Sequence, residues 1–321
     1  MIAPYALRLF CLCLAVFFLV HTAAAVTVRL LTPAILRFAA RFRAHRAAAV
    51  LLGARLLPPA LALFAVAGLC APSYLWLEPA GTSEEVGALC LIAALLGVLL
   101  LSESLARSIG AAWRSTQYLR ACRQTALPQV PAGAPRNVLV LPARKPVLAL
   151  AGVWRARMVL SQGIVDALTE PQLAAAMRHE DAHRQSRDNL KRLLVLLAPA
   201  MLPGVRGFGA LEAGWARAAE WAADDRAAAG DPQSALALAD ALVRVARMGT
   251  GPSTAALATS LLADGRDLAE RVERLLRPTP VASDSGLSST VAAASLAAVA
   301  LMMLNPTVLY AVHSALERLN H

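Results

Sequence analysis

Four stretches of the chain are apolar almost all round: residues 5–26, 56–77, 86–105 and 287–312. Each is long enough to cross a hydrocarbon layer as a helix, which takes about 20 apolar residues. Between the third and the fourth the pattern changes. Three runs of strand length, 137–141, 147–151 and 158–161, are punctuated by Pro142, Pro146 and Gly152. A helical period follows. Thr169 can cap it, Gln172 can close a capping box, and Pro171 falls in the first turn, where a missing N–H does no harm. Leu173, Ala176 and Met177 continue the apolar face, and the pattern runs on into 193–202, interrupted by Pro199. That last run is too short to span, so it is expected as a buried core helix or one that dips into the membrane. Gly204, Gly207 and Gly209 break it. Further helices are expected over 211–229, closed by Gly230, then over 234–248 and 267–276.

Composition agrees with the apolar runs. Hydrophobic residues make up 58% of the chain and the mean hydropathy is +0.55, too apolar for an ordinary soluble domain. The first run has only Arg8 as a basic leader and is long for the core of a signal peptide, so it is read as a retained span. A net charge of +10 could mark a nucleic-acid binder, but the basic residues sort by topology. Arg29, Arg37, Arg41, Arg43, Arg46 and Arg55 lie between the first two runs with no acid among them. Glu78, Glu84 and Glu85 follow the second run with no base. By the positive-inside rule the first connection is cytoplasmic, the second external, and the N-terminus external. The third span then returns to the cytoplasm, where Arg107, Arg114, Arg120 and Arg123 follow at once, and the segment 107–284 is cytoplasmic. No direct nucleic-acid contact is expected. Of the five cysteines, Cys11, Cys13, Cys70 and Cys90 lie in the spans, only Cys122 lies outside them, and none has C-x-x-C spacing; all read as packing residues.

The chemistry concentrates at His179-Glu180-Asp181-Ala182-His183. Residues four apart share a helix face, so both imidazoles can point at one metal ion, with Glu180 beside them as general base for an attacking water. A catalytic zinc takes three protein ligands and leaves one position open. His21, His45, His313 and His321 lie in or near the spans, and no cysteine is well placed. A carboxylate on the next helix is the natural supply, and Glu220-Trp-Ala-Ala-Asp224 offers two on one face. In this reading Glu220 ligates the ion, and Asp224 accepts a hydrogen bond from a ligand histidine and fixes its tautomer. The plainer alternatives are that Glu220 is a solvated partner of Arg217, and that Asp225 rather than Asp224 orients the histidine. Asp181 is read as a surface residue, and Asp188 and Asn189 as structural rather than ligating.

The stretches 152–161, 168–190 and 220–226 resemble the BlaR/MecR-type membrane metallopeptidases, antirepressor proteases that signal β-lactam exposure. They are also similar to the HtpX type, which shares H-E-x-x-H with a later E-x-x-x-D. The order of three spans, a peptidase and a fourth span fits the BlaR/MecR type better. The resemblance implies a mainly α membrane protein of four transmembrane helices, with a cytoplasmic α+β gluzincin-type zinc peptidase domain between the third and the fourth. It divides the chain into a three-span region 1–106 with a basic cytoplasmic loop 27–55, a linker 107–135 (rich in Pro, Ala and Gly over 124–135), a peptidase domain 136–284, a fourth span 285–313 and a short external tail 314–321. It implies a zinc ion and a cytoplasmic protein substrate, typically a transcriptional repressor such as a winged-helix one. The lipid bilayer is expected as a partner, and so is a membrane sensor protein, since the predicted external stretches are too short to bury a core.

Two departures follow. BlaR/MecR sensors continue into an external penicillin-binding domain, whereas this sequence stops about nine residues after the fourth run, so β-lactam sensing is not carried over. Many zinc proteases also use a tyrosine or histidine to support the oxyanion. Here Tyr5, Tyr74, Tyr118 and Tyr310 all lie outside the core peptidase region. The metal, an arginine such as Arg155 or Arg157, or backbone N–H groups are left to serve. The strands over 147–161 are expected beside the cleft, where an extended substrate could add as another strand. Rival functions are a quality-control metalloprotease for membrane proteins and a catalytically silent transducer; the intact Glu180 argues against silence.

Overall fold

A computed structural model describes residues 5–77, 86–128, 138–249, 259–260, 268–277 and 314. Three helical stretches in it are long and apolar enough to cross a membrane: Tyr5–Ala39, Ala44–Leu77 and Ala88–Thr125, which marks a membrane protein. We call the first α1. The second is α2 (Ala44–Ala65), a π turn (Val66–Cys70) and α3 (Ala71–Leu77); the third is α4 (Ala88–Thr125). All three outrun the predicted apolar runs, and α4 continues through the first part of the segment expected as linker. The fourth apolar run, 287–312, lies outside the described residues. Helices α1 and α4 touch closely: a Cβ added at Gly97 would lie 2.7 Å from the Leu14 carbonyl oxygen.

The end of α4 leads to a small mixed sheet of order β1-β3-β2-β4, with β1 (Val138–Leu141), β2 (Leu148–Ala151), β3 (Arg157–Ser161) and β4 (Thr259–Ser260). Strand β3 runs parallel to β1 and antiparallel to β2. The expected strands thus form within a residue of their predicted bounds. Their near-continuous apolar character follows from cover on both faces. Val138, Val140, Leu148, Met158 and Leu160 join the core under the helices, while Leu139, Leu141, Ala151 and Val159 pack on Tyr118, Leu119 and Cys122 of α4. Strand β4 was not foreseen. It pairs with β2 at Ala149 and Leu150, so the edge expected to receive an extended substrate already carries a strand of this chain there.

After α5 (Gln162–Ala167), helix α6 (Glu170–Ser186) starts with the expected capping box, the Thr169 N–H donating to Gln172 Oε1 at 3.0 Å. It does not run on into 193–202. Arg187 adopts a left-handed conformation, φ 54°, and a separate α7 (Asp188–Leu197) turns away. The break is held by side chains that the apolar period does not reveal. Asn189 Nδ2 donates to the carbonyls of Leu150 and Gly152, at 2.9 and 2.7 Å, and pins the start of α7 to the end of β2. The remaining helices are α8 (Gly209–Ala228), α9 (Pro232–Arg247) and α10 (Leu268–Leu276).

The 198–208 connection and α8 do not stand apart from the apolar helices. Ala25, Val28 and Ala39 of α1 and Ala47, Ala48 and Leu51 of α2 share one core with Leu211, Trp215 and Ala218 of α8. Arg55 of α2, 3% exposed, is the polar tie in that contact. Its Nε donates to Glu212 Oε1 at 2.7 Å, and its Nη2 reaches the carbonyls of Val195, Ala198 and Pro199 at 3.2, 2.9 and 3.2 Å. These are the carbonyls left open at the end of α7. His21 of α1 does the same for the Ala200 carbonyl, at 2.8 Å.

We expect Arg55→Leu to lower the unfolding free energy in detergent by about 1–3 kcal/mol, because buried carbonyls lose their donor. Arg55→Lys should recover less than half of that, since one ammonium cannot serve Glu212 and all three carbonyls. Chemical denaturation of both variants checks this; a wild-type curve for Arg55→Leu would remove the tie from the account.

Candidate metal centre

Helix α6 presents His179, Glu180 and His183 toward α8, all of them almost wholly buried. Its core side is lined with Ala175, Ala176 and Ala182, small residues that let the helix lie close to its neighbours. Each histidine is held from behind. His183 Nδ1 lies 2.7 Å from Asp188 Oδ2, at the first turn of α7, and His179 Nδ1 lies 2.9 Å from Asp224 Oδ1 on α8. With each Nδ1 facing a carboxylate, the two Nε2 atoms face one another at 3.2 Å. Glu220, one turn before Asp224, completes the group: Oε2 is 3.4 Å from His179 Nε2 and Oε1 is 3.5 Å from His183 Nε2.

This arrangement fits a cation. A carboxylate and two ring nitrogens whose other nitrogens face carboxylates are all electron-pair donors, and without positive charge between them they repel. The three separations also match the edge of a tetrahedron, which is about 3.3–3.4 Å for metal–ligand bonds of about 2.0–2.1 Å. His179, His183 and Glu220 therefore form a set that could hold a metal ion. The pair His179 and His183 with Glu220, expected as ligands, is brought together, and so is Asp224 as the carboxylate behind a histidine. Asp225 points elsewhere, to Arg274 at 2.7 Å. Arg217 lies 4.0 Å from Glu270, so Glu220 is not its solvated partner. Asp181 pairs locally with Arg184 and Gln185.

Charge is concentrated here. Burial pushes the Glu180 carboxyl up to about 7, against the pull of the nearby histidines. Burial would lower His183, yet Glu220, Asp188 and Glu180 together hold it up to about 10. His179 is raised in the same way against its burial, by Asp224 and Glu220. Glu220 is held well below the usual carboxylate range despite burial, by His183, His179 and Arg271. The carboxylates thus demand positive charge at the two Nε2 atoms. Protons can supply it, and a metal ion replaces them, releasing them as it binds.

Three contributors escaped the sequence reading. Asp188 was read as structural, and its place five residues after His183 is the signal that could have found it. Arg271 of α10 is buried, donates to Asp224 through Nε and Nη2 at 2.8 and 2.7 Å, and lies 3.3 Å from Glu220 Oε2 through Nη1. Nothing in the local pattern of α10 distinguishes it from Arg274 and Arg277. Arg192 of α7 approaches Glu220 Oε1 from the other side, at 3.9 Å. Arg155 instead lines a cavity of about 380 Å³ by the β2–β3 hairpin, with Trp154, Arg184 and Arg187.

Two histidines one turn apart, a carboxylate from a second helix and a buried acid between them are the parts of a metal-dependent hydrolase. Residues 111–256 match the family described as Peptidase family M48, whose members are metallopeptidases. The matched stretch runs from within α4 through α9 and contains His179, Glu180, His183, Glu220 and Asp224; Arg271 falls beyond it. It supports a metal-dependent peptide hydrolase attached to membrane helices, and does not single out the BlaR/MecR type. No curated protein and no solved structure matches the chain.

For the ligand set, Glu220→Ala should cost most of the affinity for added zinc, measured by competition with a chromogenic chelator. Asp188→Asn and Asp224→Asn should each cost about 10–100-fold, as carboxylates that orient the ligand histidines. Undiminished affinity in Glu220→Ala would remove that residue from the set.

Proposed function

We propose that this protein is a membrane-embedded zinc endopeptidase that cleaves a cytoplasmic protein, a transcriptional repressor in the manner of the BlaR/MecR type. The observation that carries the reading is geometric: His179, His183 and Glu220 lie within reach of one ion, with the buried Glu180 beside the two histidines on α6. A scaffold would not need an acid there. His179, His183 and Glu220 would hold the zinc, which would supply a Lewis acid for the scissile carbonyl and the attacking water. Glu180 takes the proton of that water and gives it to the leaving amine. Asp188 and Asp224 keep the two Nε2 lone pairs aimed inward. Arg271 holds Asp224 and Glu220 in place. An extended substrate adding at β2 would have to displace the β4 pairing at Ala149 and Leu150.

Packing and charge together support a cytoplasmic centre. The α1–α2 turn and the flanking halves of both helices lie on α8, the helix of Glu220, so the basic end of the hairpin and the centre share one side. By the positive-inside rule that side is the cytoplasm. The same packing keeps the centre near the membrane surface, which favours, as a second reading, substrates that are themselves membrane proteins.

Glu180→Gln should keep bound zinc and lose proteolysis of casein by about 10²–10⁴-fold, the scale of a lost general base. Equal cleavage by the variant would show that Glu180 is not the base. In a background without the five native cysteines, Thr82→Cys should react with an impermeant thiol reagent in intact cells. Trp154→Cys, at an 82% exposed position in the β2–β3 hairpin, should react only after lysis. The opposite pattern would put the peptidase outside.

A further inference from the structure

The proposed hydrolysis builds negative charge on the scissile carbonyl oxygen, and a donor must face that oxygen. Among the described residues, the tyrosines do not supply it: Tyr5 and Tyr74 bond across α1 and α3, and Tyr118 packs beneath the sheet against Ala149. His179 and His183 are committed to the ion. Among the described residues, the nearby cations other than Arg192 lie behind the ligand set or away from it. Arg271 is buried against Asp224 and Glu220, Arg274 lies on Asp225, Arg184 on Asp181, and Lys191 on Asp188, behind the His183 ring. Arg155 lies in the wall of the hairpin cavity, whose lining includes none of the ligand residues.

Arg192 is placed differently. It sits four residues after Asp188, on the same face of α7, and Asp188 is fixed to His183. The left-handed Arg187 and the Asn189 anchors set that direction. Its Nη2 is 3.9 Å from Glu220 Oε1, the oxygen on the His183 side of the set. Its side chain is 20% exposed, against 6% for Arg271. A partly exposed cation beside the ligand set is placed where an entering carbonyl could meet it.

We propose that Arg192 is a catalytic residue that stabilises the oxyanion, its guanidinium donating to the carbonyl oxygen of the scissile peptide. The inference rests on the peptidase reading. As the water oxygen bonds to the carbonyl carbon, the C=O pair moves onto the oxygen facing Arg192, and Glu180 receives the water proton. When the C–N bond breaks, its electron pair goes to nitrogen, which takes that proton from Glu180. Arg192 stays protonated throughout.

The test uses the full chain in detergent, saturated with zinc, and compares it with Arg192→Gln and Arg192→Lys. The dipeptide N-phosphoryl-Leu-Trp serves as a tetrahedral anionic probe, with casein as substrate. For Arg192→Gln we expect about 10²-fold weaker binding of the probe and a kcat on casein lower by about 10²–10³-fold, with KM and zinc affinity nearly unchanged. Arg192→Lys should recover part of both, keeping the charge without the fork. Unchanged probe affinity in Arg192→Gln would overturn the proposal. So would a loss of zinc affinity that accounts for the lost probe binding, because Arg192 would then only hold Glu220. A parent that binds zinc but cleaves no casein counts against the peptidase reading, while the probe still decides the role of Arg192. A zinc-loaded parent that does not bind the probe sinks the oxyanion site itself.

Discussion

Four carboxylates, Glu180, Asp188, Glu220 and Asp224, are buried together with two imidazoles, and that concentration of charge governs the peptidase half of the molecule. Buried charge is tolerated only when it is paired and hydrogen-bonded. Among the described residues Arg271 is the one buried cation in the group, and Lys191 and Arg192 are more exposed. The deficit is met at the two facing Nε2 atoms. Every element that touches the cluster has its position set by this balance: α6 by the histidines, α7 by Asp188, α8 by Glu220 and Asp224, and α10 by Arg271. These are four separate pieces of chain. A bound dication would tie three ligand side chains from two of them and, through their partners, all four, so metal binding and packing are one free energy.

The second constraint lies at the membrane end. Arg55 closes the exposed carbonyl end of α7 and pairs with Glu212, two turns before Glu220 on the same helix. The helix that carries Glu220 is therefore braced by a long apolar helix, and Gly214 makes this possible: a Cβ there would come within 2.6 Å of Leu36 Cδ2 of α1. A shift of α2 relative to α1 would be felt at α8 through rigid packing and a charged tie. That is the kind of bistable contact by which spans can bias a site.

Much of this was legible in the sequence, for stated reasons. Periodicity and length give the three long apolar helices, and alternation with punctuation gives the strands to within a residue, because the sheet is covered on both faces and its runs stay apolar. The cap of α6 is local chemistry, so Thr169, Pro171 and Gln172 reveal it. His179, Glu180, His183, Glu220 and Asp224 stand out because i,i+4 spacing on two helices needs no tertiary information, and the structure brings His179, His183 and Glu220 together. What could not be read depends on partners far along the chain. The break at Arg187 has no glycine or proline to announce it; it is decided by Asn189 reaching the carbonyls of β2. Arg271 comes from a helix 47 positions beyond Asp224 and looks like any basic surface residue until it is placed. Arg55 lies in a segment where arginine is explained by topology alone, and its tie to Glu212 adds a second role. Strand β4 is two residues long, below what any periodic pattern can register.

The two kinds of arginine in this chain then serve different ends, and burial separates them. Where the guanidinium is enclosed, as at Arg55 and Arg271, its fork is matched by fixed acceptors, and it positions helices: Arg55 seats α7 and α8 on the spans, and Arg271 seats α10 on the two acids of α8. Where it stays partly open, as at Arg192, its contact with Glu220 is longer, 3.9 Å, and the side chain keeps 20% of its surface exposed. A guanidinium loses less hydration than an ammonium on entering such a site and offers planar, directed donors. That makes arginine suited to a cleft with neither tyrosine nor a spare histidine among its described residues. The basic excess of the chain is thus not only a matter of which side of the membrane each loop occupies. Around the candidate metal centre it is the counterweight to the buried acids.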